Sequence, residues 1–293
     1  MHTLCHGDLE AGLLPSCGGA FSFLRWKGVD LLRPLKSGDG ALPEGVRHSG
    51  GYVLAPYSNR IADASFSWQG AQINLRRNFG DHPHSLHGFA WQRAWECHRQ
   101  DENSAYMVLS HSRDTDWPWD CVVTQKVSLA QHRLDLSLSI ENLDKQSMPA
   151  GLGWHPYFCR TPNVQLGFAA EAVWMNNERQ LPSHRVASSG KWDFRHLREL
   201  GWPGIDHCYE GWSNQAQIHW PEYRLRLHLT ASEQLSHLVL FTPEARDFFA
   251  LEPVSHANAA LNRAVPNAHG MQTLAPGESF SCHLQLTLEE DHG

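Results

Sequence analysis

Arg133-Leu134-Asp135-Leu136-Ser137-Leu138-Ser139-Ile140 alternates polar and apolar side chains without a break. Successive side chains of an extended chain point to opposite faces, so Leu134, Leu136, Leu138 and Ile140 share one face of a half-buried strand. The same period recurs in Leu225, Leu227 and Leu229, set against Arg224, Arg226 and His228. It returns in Leu284, Leu286 and Leu288 after the turn-forming Pro276-Gly277. Helical patterns are scarce. The best spans roughly 193–200, and Pro203-Gly204 closes it quickly. Apolar strand faces must be covered, so two sheets are expected to pack face to face. The reading is all-β: a large antiparallel β-sandwich with few short helices. No linker, charge block or short repeat divides residues 1–293, which predicts one domain.

Composition removes several classes of function. Lys plus Arg is 24 against 31 Asp plus Glu, a formal net charge of −7. Such a chain lacks the basic footprint of a nucleic-acid binder. No apolar run reaches the roughly 18 residues of a membrane helix. The start, Met1-His2-Thr3-Leu4-Cys5-His6, has neither the basic nor the apolar region of a secretory signal. The seven cysteines are odd in number, widely spaced and without a CxxC, which predicts reduced thiols in a cytoplasmic protein. The motifs of a serine-hydrolase elbow, a phosphate loop, a dinucleotide fold and a zincin are all absent. The unusual entries are 20 His and 12 Trp.

Four segments concentrate polar residues in apolar surroundings. In Pro56-Tyr57-Ser58-Asn59-Arg60-Ile61, Arg60 either closes a strand at the surface or forks two hydrogen bonds to vicinal oxygens. In Asp81-His82-Pro83-His84-Ser85-Leu86-His87-Gly88, three histidines lie within six residues. Their spacing is no familiar metal pattern and no acid completes a triad, so a turn presenting hydrogen-bond donors is the better reading. Gly88 permits close approach of a ligand or backbone. His155, in Gly153-Trp154-His155-Pro156-Tyr157-Phe158, is either a satisfied core residue or an acid in need of a partner. Glu252, in Phe248-Phe249-Ala250-Leu251-Glu252-Pro253, is either a loop cap or a general base whose pKa its surroundings adjust. Asp206, in Ile205-Asp206-His207, taken alone is any turn aspartate.

Taken in order, Asn59-Arg60-Ile61, Leu86-His87-Gly88, His155-Pro156-Tyr157-Phe158, Ile205-Asp206-His207 and Leu251-Glu252-Pro253 resemble the aldose 1-epimerase (galactose mutarotase) family. The order and rough separations fit from about residue 5 to 288. The resemblance implies a galactose mutarotase-like supersandwich that interconverts the anomers of a free sugar without metal or cofactor. It matches Glu252 to the general base and His155 to the general acid. Arg60, His87 and Asp206 match binders of sugar hydroxyls, with Asn59 beside Arg60. Tyr157 or a nearby Trp suits stacking on the sugar. The chemistry needs His155 protonated and Glu252 ionised at the outset, and predicts a bell-shaped pH profile. A small sugar is the implied partner of a monomer or homodimer.

Departures from the family pattern flank these residues. Phe89 follows Gly88 where a second glycine is common, Cys159-Arg160 replaces Asn-Leu, and Val239 stands where some members place a glutamine. Trp91-Gln92-Arg93 and Val254-Ser255-His256 look more like a less-studied bacterial branch. Three rivals remain open. A hexose-6-phosphate 1-epimerase needs a cationic pocket, for which Arg76-Arg77 is the one adjacent basic pair. A non-catalytic sugar-binding or regulatory protein could share the fold. A glycosidase or lyase could use Asp206 and Glu252 as a carboxylate pair.

Overall fold

The three diagnostic strands lie side by side. Arg133–Asn142 pairs with Ser279–Glu290, which pairs in turn with Leu225–Ala231. Leu134 stands opposite Leu286, and Leu286 opposite Leu229, so the alternation seen along each strand becomes an apolar row across the sheet. These strands form the centre of a nine-stranded antiparallel sheet that runs from Glu96–Arg99 at one edge to Arg198–Glu199 at the other. The structure, a computed structural model, describes residues 1–36, 44–99, 101–201 and 203–291.

An eleven-stranded sheet covers the apolar face. Its path runs through His2–His6, Leu9–Leu14, Ala20–Trp26, Val29–Leu32, Gly153–Cys159, Phe248–Val254, His237–Phe241, Asp206–Glu210, Ala172–Asn176 and Pro182–Ala187. Gly51–Leu54 joins beside Gly153–Cys159. Side chains of both sheets share one hydrophobic cluster. Each fully buried Leu in it contributes about 1.5–3 kcal/mol relative to exposure, which makes an uncovered leucine row untenable.

The central strands of the larger sheet are buried on both faces. Val53, Trp154, Phe158, Leu238, Leu240, Phe249 and Leu251 point into the sandwich core. Tyr52, Tyr157, Val239, Ala250 and Val254 form a second cluster on the outer face. Strands buried on both sides read as continuous apolar runs, and that is why no alternation marks 153–159 or 248–254.

The helix expected at 193–200 does not form. Gly190–Trp192 is a short 3-10 turn, and Arg198–Glu199 is an edge strand paired with Gln165–Phe168. The Asp193 carboxylate accepts the backbone N–H of Arg195 at 2.9 Å, a local bond that competes with helix formation. Phe194 then packs flat on Phe168 at 5.0 Å. Glu44–His48 is the one α-helix among the described residues.

Candidate active site

Strand register assembles the first part of the site. Gly153–Cys159 pairs Gly153 with Val254 and Tyr157 with Ala250, which brings His155 beside Glu252 on the outer face. Tyr52 is the partner of His155 on the other side. Val239 stands opposite Glu252, so the departure from the family's glutamine lies directly beside the carboxylate. Glu252 Oε1 is 3.2 Å from His155 Nε2, and both side chains are almost fully buried. The His155 ring stacks on Tyr52 at 4.9 Å and lies 4.5 Å from the Tyr157 ring.

Two loops supply the second part. Arg60 and Leu86 pair in a two-residue ladder. Beside it, the His87 N–H donates to the Asn59 carbonyl at 2.9 Å. The Asn59 N–H donates to His87 Nδ1 at 3.1 Å. The His87 ring therefore carries its hydrogen on Nε2 when neutral. Asn59 Oδ1 accepts from both the Arg60 backbone and its Nη1, at 3.0 and 3.1 Å. Arg60 Nη2 donates to Gln180 at 2.5 Å and lies 3.6 Å from Asp206. His256 braces this loop. Its Nε2 accepts the Ser58 N–H at 3.0 Å, while Nδ1 donates to the Ala257 carbonyl.

These groups line one cleft of about 660 Å³. Asn59, Arg60, His87, His155, Tyr157, Asp206 and Glu252 all reach it, so every residue picked out from the sequence as a site residue converges there. Burial governs its electrostatics. It pushes the Glu252 carboxyl well above the ordinary value, with Asp206 adding to the rise and Arg60 opposing it. It pushes His155 well below the ordinary imidazole value, aided by the charges of His87 and Arg33. Burial, then Arg60, lowers His87 to about 3, which leaves it a neutral donor. Burial thus acts against the charged forms of both partners, while their 3.2 Å contact lets each charge offset the other. Glu252 Oε2 and Arg60 Nε, both buried, meet no hydrogen-bond partner among the described residues.

Other expectations resolve differently. No Trp among the described residues lines the cleft. Trp154 faces the opposite side and packs on Phe21 at 5.5 Å. The aromatic walls are Tyr52, Tyr157, Phe79, Phe241 and Phe248. The three clustered histidines diverge. His87 lies on the cleft wall and His82 reaches the cleft too, but His84 is spent on the Arg179 carbonyl and the Asp63 N–H. Arg76 is bound to Asp116 at 2.6 Å, and neither Arg76 nor Arg77 reaches the cleft. Tyr52, Gln180 and Arg33 were not singled out from the sequence. Tyr52 and Arg33 sit in ordinary strand sequence or just after it, and only sheet register brings them to the cleft.

Related proteins share the fold and nearly the whole length of the chain. The Escherichia coli K12 protein YphB, described as uncharacterized, is 29% identical over 99% of each chain. A candidate aldose 1-epimerase from E. coli K12 superposes with a TM-score of 0.90 at 28% identity, covering 99% of this chain and 98% of the other. A galactose mutarotase-like protein from Clostridium acetobutylicum reaches 0.86 at 20% identity, over 98% and 94%. A sequence profile of the aldose 1-epimerase family matches residues 2–287. With nearly the whole length accounted for, the chain belongs to the aldose 1-epimerase family.

Proposed function

We propose that the protein is an aldose 1-epimerase that interconverts the α and β anomers of a free aldose. The observation that carries the reading is the Glu252–His155 pair, 3.2 Å apart on the floor of a sugar-sized cleft. Ring opening needs a proton removed from the C1 hydroxyl and another delivered to the ring oxygen. Glu252 takes the first and His155 gives the second, the C1–O5 bond breaks, and the C1 carbonyl forms. Rotation about C1–C2 turns the aldehyde, and the reverse transfers close the ring on its other face.

Burial helps both transfers. It makes Glu252 a stronger base and His155 a stronger acid, so opening leaves both groups in the neutral forms that the site favours. For the opening step the one proton of the pair lies on His155, 3.2 Å from the Glu252 carboxylate.

The remaining groups bind. Arg60, held by Asn59, and His87 through Nε2–H donate to sugar hydroxyls, and Asp206 accepts from them. Tyr157 forms an aromatic wall of the cleft for the sugar's C–H groups, while Tyr52 backs the His155 ring. Neither proton transfer calls for a metal or cofactor. The seven cysteines are free thiols, which suits a cytoplasmic enzyme.

The direct test is polarimetry, with saturation-transfer NMR across the anomeric signals, on freshly dissolved α-glucose, α-galactose and their charged derivatives. Anomer exchange faster than in buffer is the expected result. Sugar binding without acceleration would favour a non-catalytic sugar-binding protein. Cleavage of a glycoside lacking a free anomeric hydroxyl would favour the carboxylate-pair reading of Asp206 and Glu252.

A further inference from the structure

We infer that the natural aldose carries an anionic group on C6, received by Arg33, with Arg246 adding positive charge to the same cleft. This rests on the epimerase reading and names its substrate class. Both arginines line the same cleft as the Glu252–His155 pair.

Position comes first. In a pyranose, C5 bears both the ring oxygen and C6. The residue that protonates the ring oxygen is therefore a near neighbour of whatever C6 carries. The Tyr157 ring lies 4.5 Å from His155, two residues further along the strand. The Arg33 guanidinium lies over Tyr157 at 4.0 Å and over Phe248 at 4.3 Å. Its backbone N–H donates to the Tyr157 carbonyl at 2.8 Å, which places Arg33 opposite Tyr157 on the neighbouring chain segment.

Charge comes second. Arg33 Nε donates to the Ser49 carbonyl at 3.1 Å, and Nη2 to the carbonyls of Ser49 and Arg47 at 2.8 and 2.6 Å. These acceptors fix the guanidinium without neutralising it. Nη1 has no hydrogen-bond partner among the described residues, and no carboxylate there lies within ion-pair distance. Asp247 acts on Arg33 from further away. Arg246 makes no ion pair or hydrogen bond among the described residues. Arg47, over Phe79 at 4.3 Å, adds positive charge that Glu44 offsets at 3.0 Å. Arg60 is likewise offset by Asp206. The cleft thus pairs Arg47 with Glu44 and Arg60 with Asp206, but Arg33 and Arg246 have no paired carboxylate among the described residues. A partly buried cation is costly unless a counter-charge arrives, and a guanidinium suits phosphate or carboxylate oxygens.

The test compares kcat/KM for mutarotation of glucose 6-phosphate, glucuronate and glucose by the intact protein. The expected result is a preference of about tenfold or more for at least one charged sugar, the scale of one charge-assisted contact. The phosphate and carboxylate arms decide which oxyanion is meant. Arg33→Gln should cut the charged-over-neutral ratio about tenfold, and the exposed Arg246→Ala should lower it in the same direction. Arg246→Ala keeps the inference testable if Arg33→Gln fails to fold. Equal turnover of charged and neutral sugars, or a ratio unmoved by either variant, would overturn the inference while leaving the epimerase reading intact. Turnover of no sugar at all would overturn the reading itself.

Discussion

Glu252 and His155 are ordinary residues that strand register brings within 3.2 Å of each other and buries, which shifts the pKa of both. Each is isosterically replaceable, so chemistry can be separated from packing. Glu252→Gln and His155→Asn should each reduce kcat/KM for mutarotation by at least about a hundredfold, the usual scale for a lost general acid or base. Thermal melts should show both variants folded, and wild-type activity in either would sink the assignment. The pH profile carries a second signature. The productive pair holds one proton in total, and burial opposes both doubly protonated and fully deprotonated forms. The acid limb should fall below the ordinary imidazole value of 6.5, and the basic limb above the ordinary carboxyl value of 4.5. The places of His155 and Glu252 in the cleft were legible because each is a polar residue embedded in an apolar run and falls within the ordered motifs of the family. Tyr52 and Arg33 were not, because an aromatic residue in a strand and an arginine after one are unremarkable until a neighbouring strand is known. The sizes of the pKa shifts were not legible for the same reason: desolvation depends on what packs around a group, which its immediate sequence does not contain.

At the scale of elements, the loop that carries His87 is fixed by a backbone contact rather than by a ligand. Gly88 has φ +69°, and a Cβ there would lie 2.0 Å from the Ala55 carbonyl oxygen. That carbonyl also accepts the N–H groups of Phe89 and Ala90. Gly88→Ala should therefore cost about 2–3 kcal/mol through overlap with rigid backbone, and should raise KM by displacing His87 and Asn59. Gly28→Ala is the control. Its φ is +79°, but nothing lies within 4 Å of the added methyl, so only the left-handed penalty of about 1 kcal/mol remains. Equal losses of urea midpoint in the two variants would refute the overlap argument. Close approach at Gly88 was readable from Leu86-His87-Gly88, but whether a ligand or a backbone approached was not. Amphipathic strands such as 133–140 announced themselves because one face is wet. The segment at 193–200 misled because Asp193 and Phe194 are satisfied by a local bond and a distant ring, and helical spacing registers neither.

Across the whole molecule, buried neutral histidines tie stability to pH. Burial lowers His87 and His237 to about 3 and His256 to about 4. Each remains neutral in the folded state at pH values where the unfolded chain has taken up a proton, beginning near 6.5. Their contribution is present above that value and is lost as pH falls, at about 1.4 kcal/mol per pH unit for each group. His84, His111, His207 and His269 shift in the same direction. The Glu252–His155 pair shifts in opposite directions, the carboxyl up and the imidazole down, so its two contributions to the slope oppose each other. The depressed carboxylates of Asp114 and Asp144 matter only below their ordinary value of 3.8. The window from pH 6.5 to 5 therefore isolates the histidines. Urea unfolding across it should show stability falling by several kcal/mol, a large share of the about 5–15 kcal/mol that holds a typical domain. His256→Gln keeps an acceptor near Ser58 but removes one titrating group, so its slope should be shallower than wild type by about one histidine's share. A stability that is flat or rises between pH 6.5 and 5 would mean that these imidazoles are protonated within the fold.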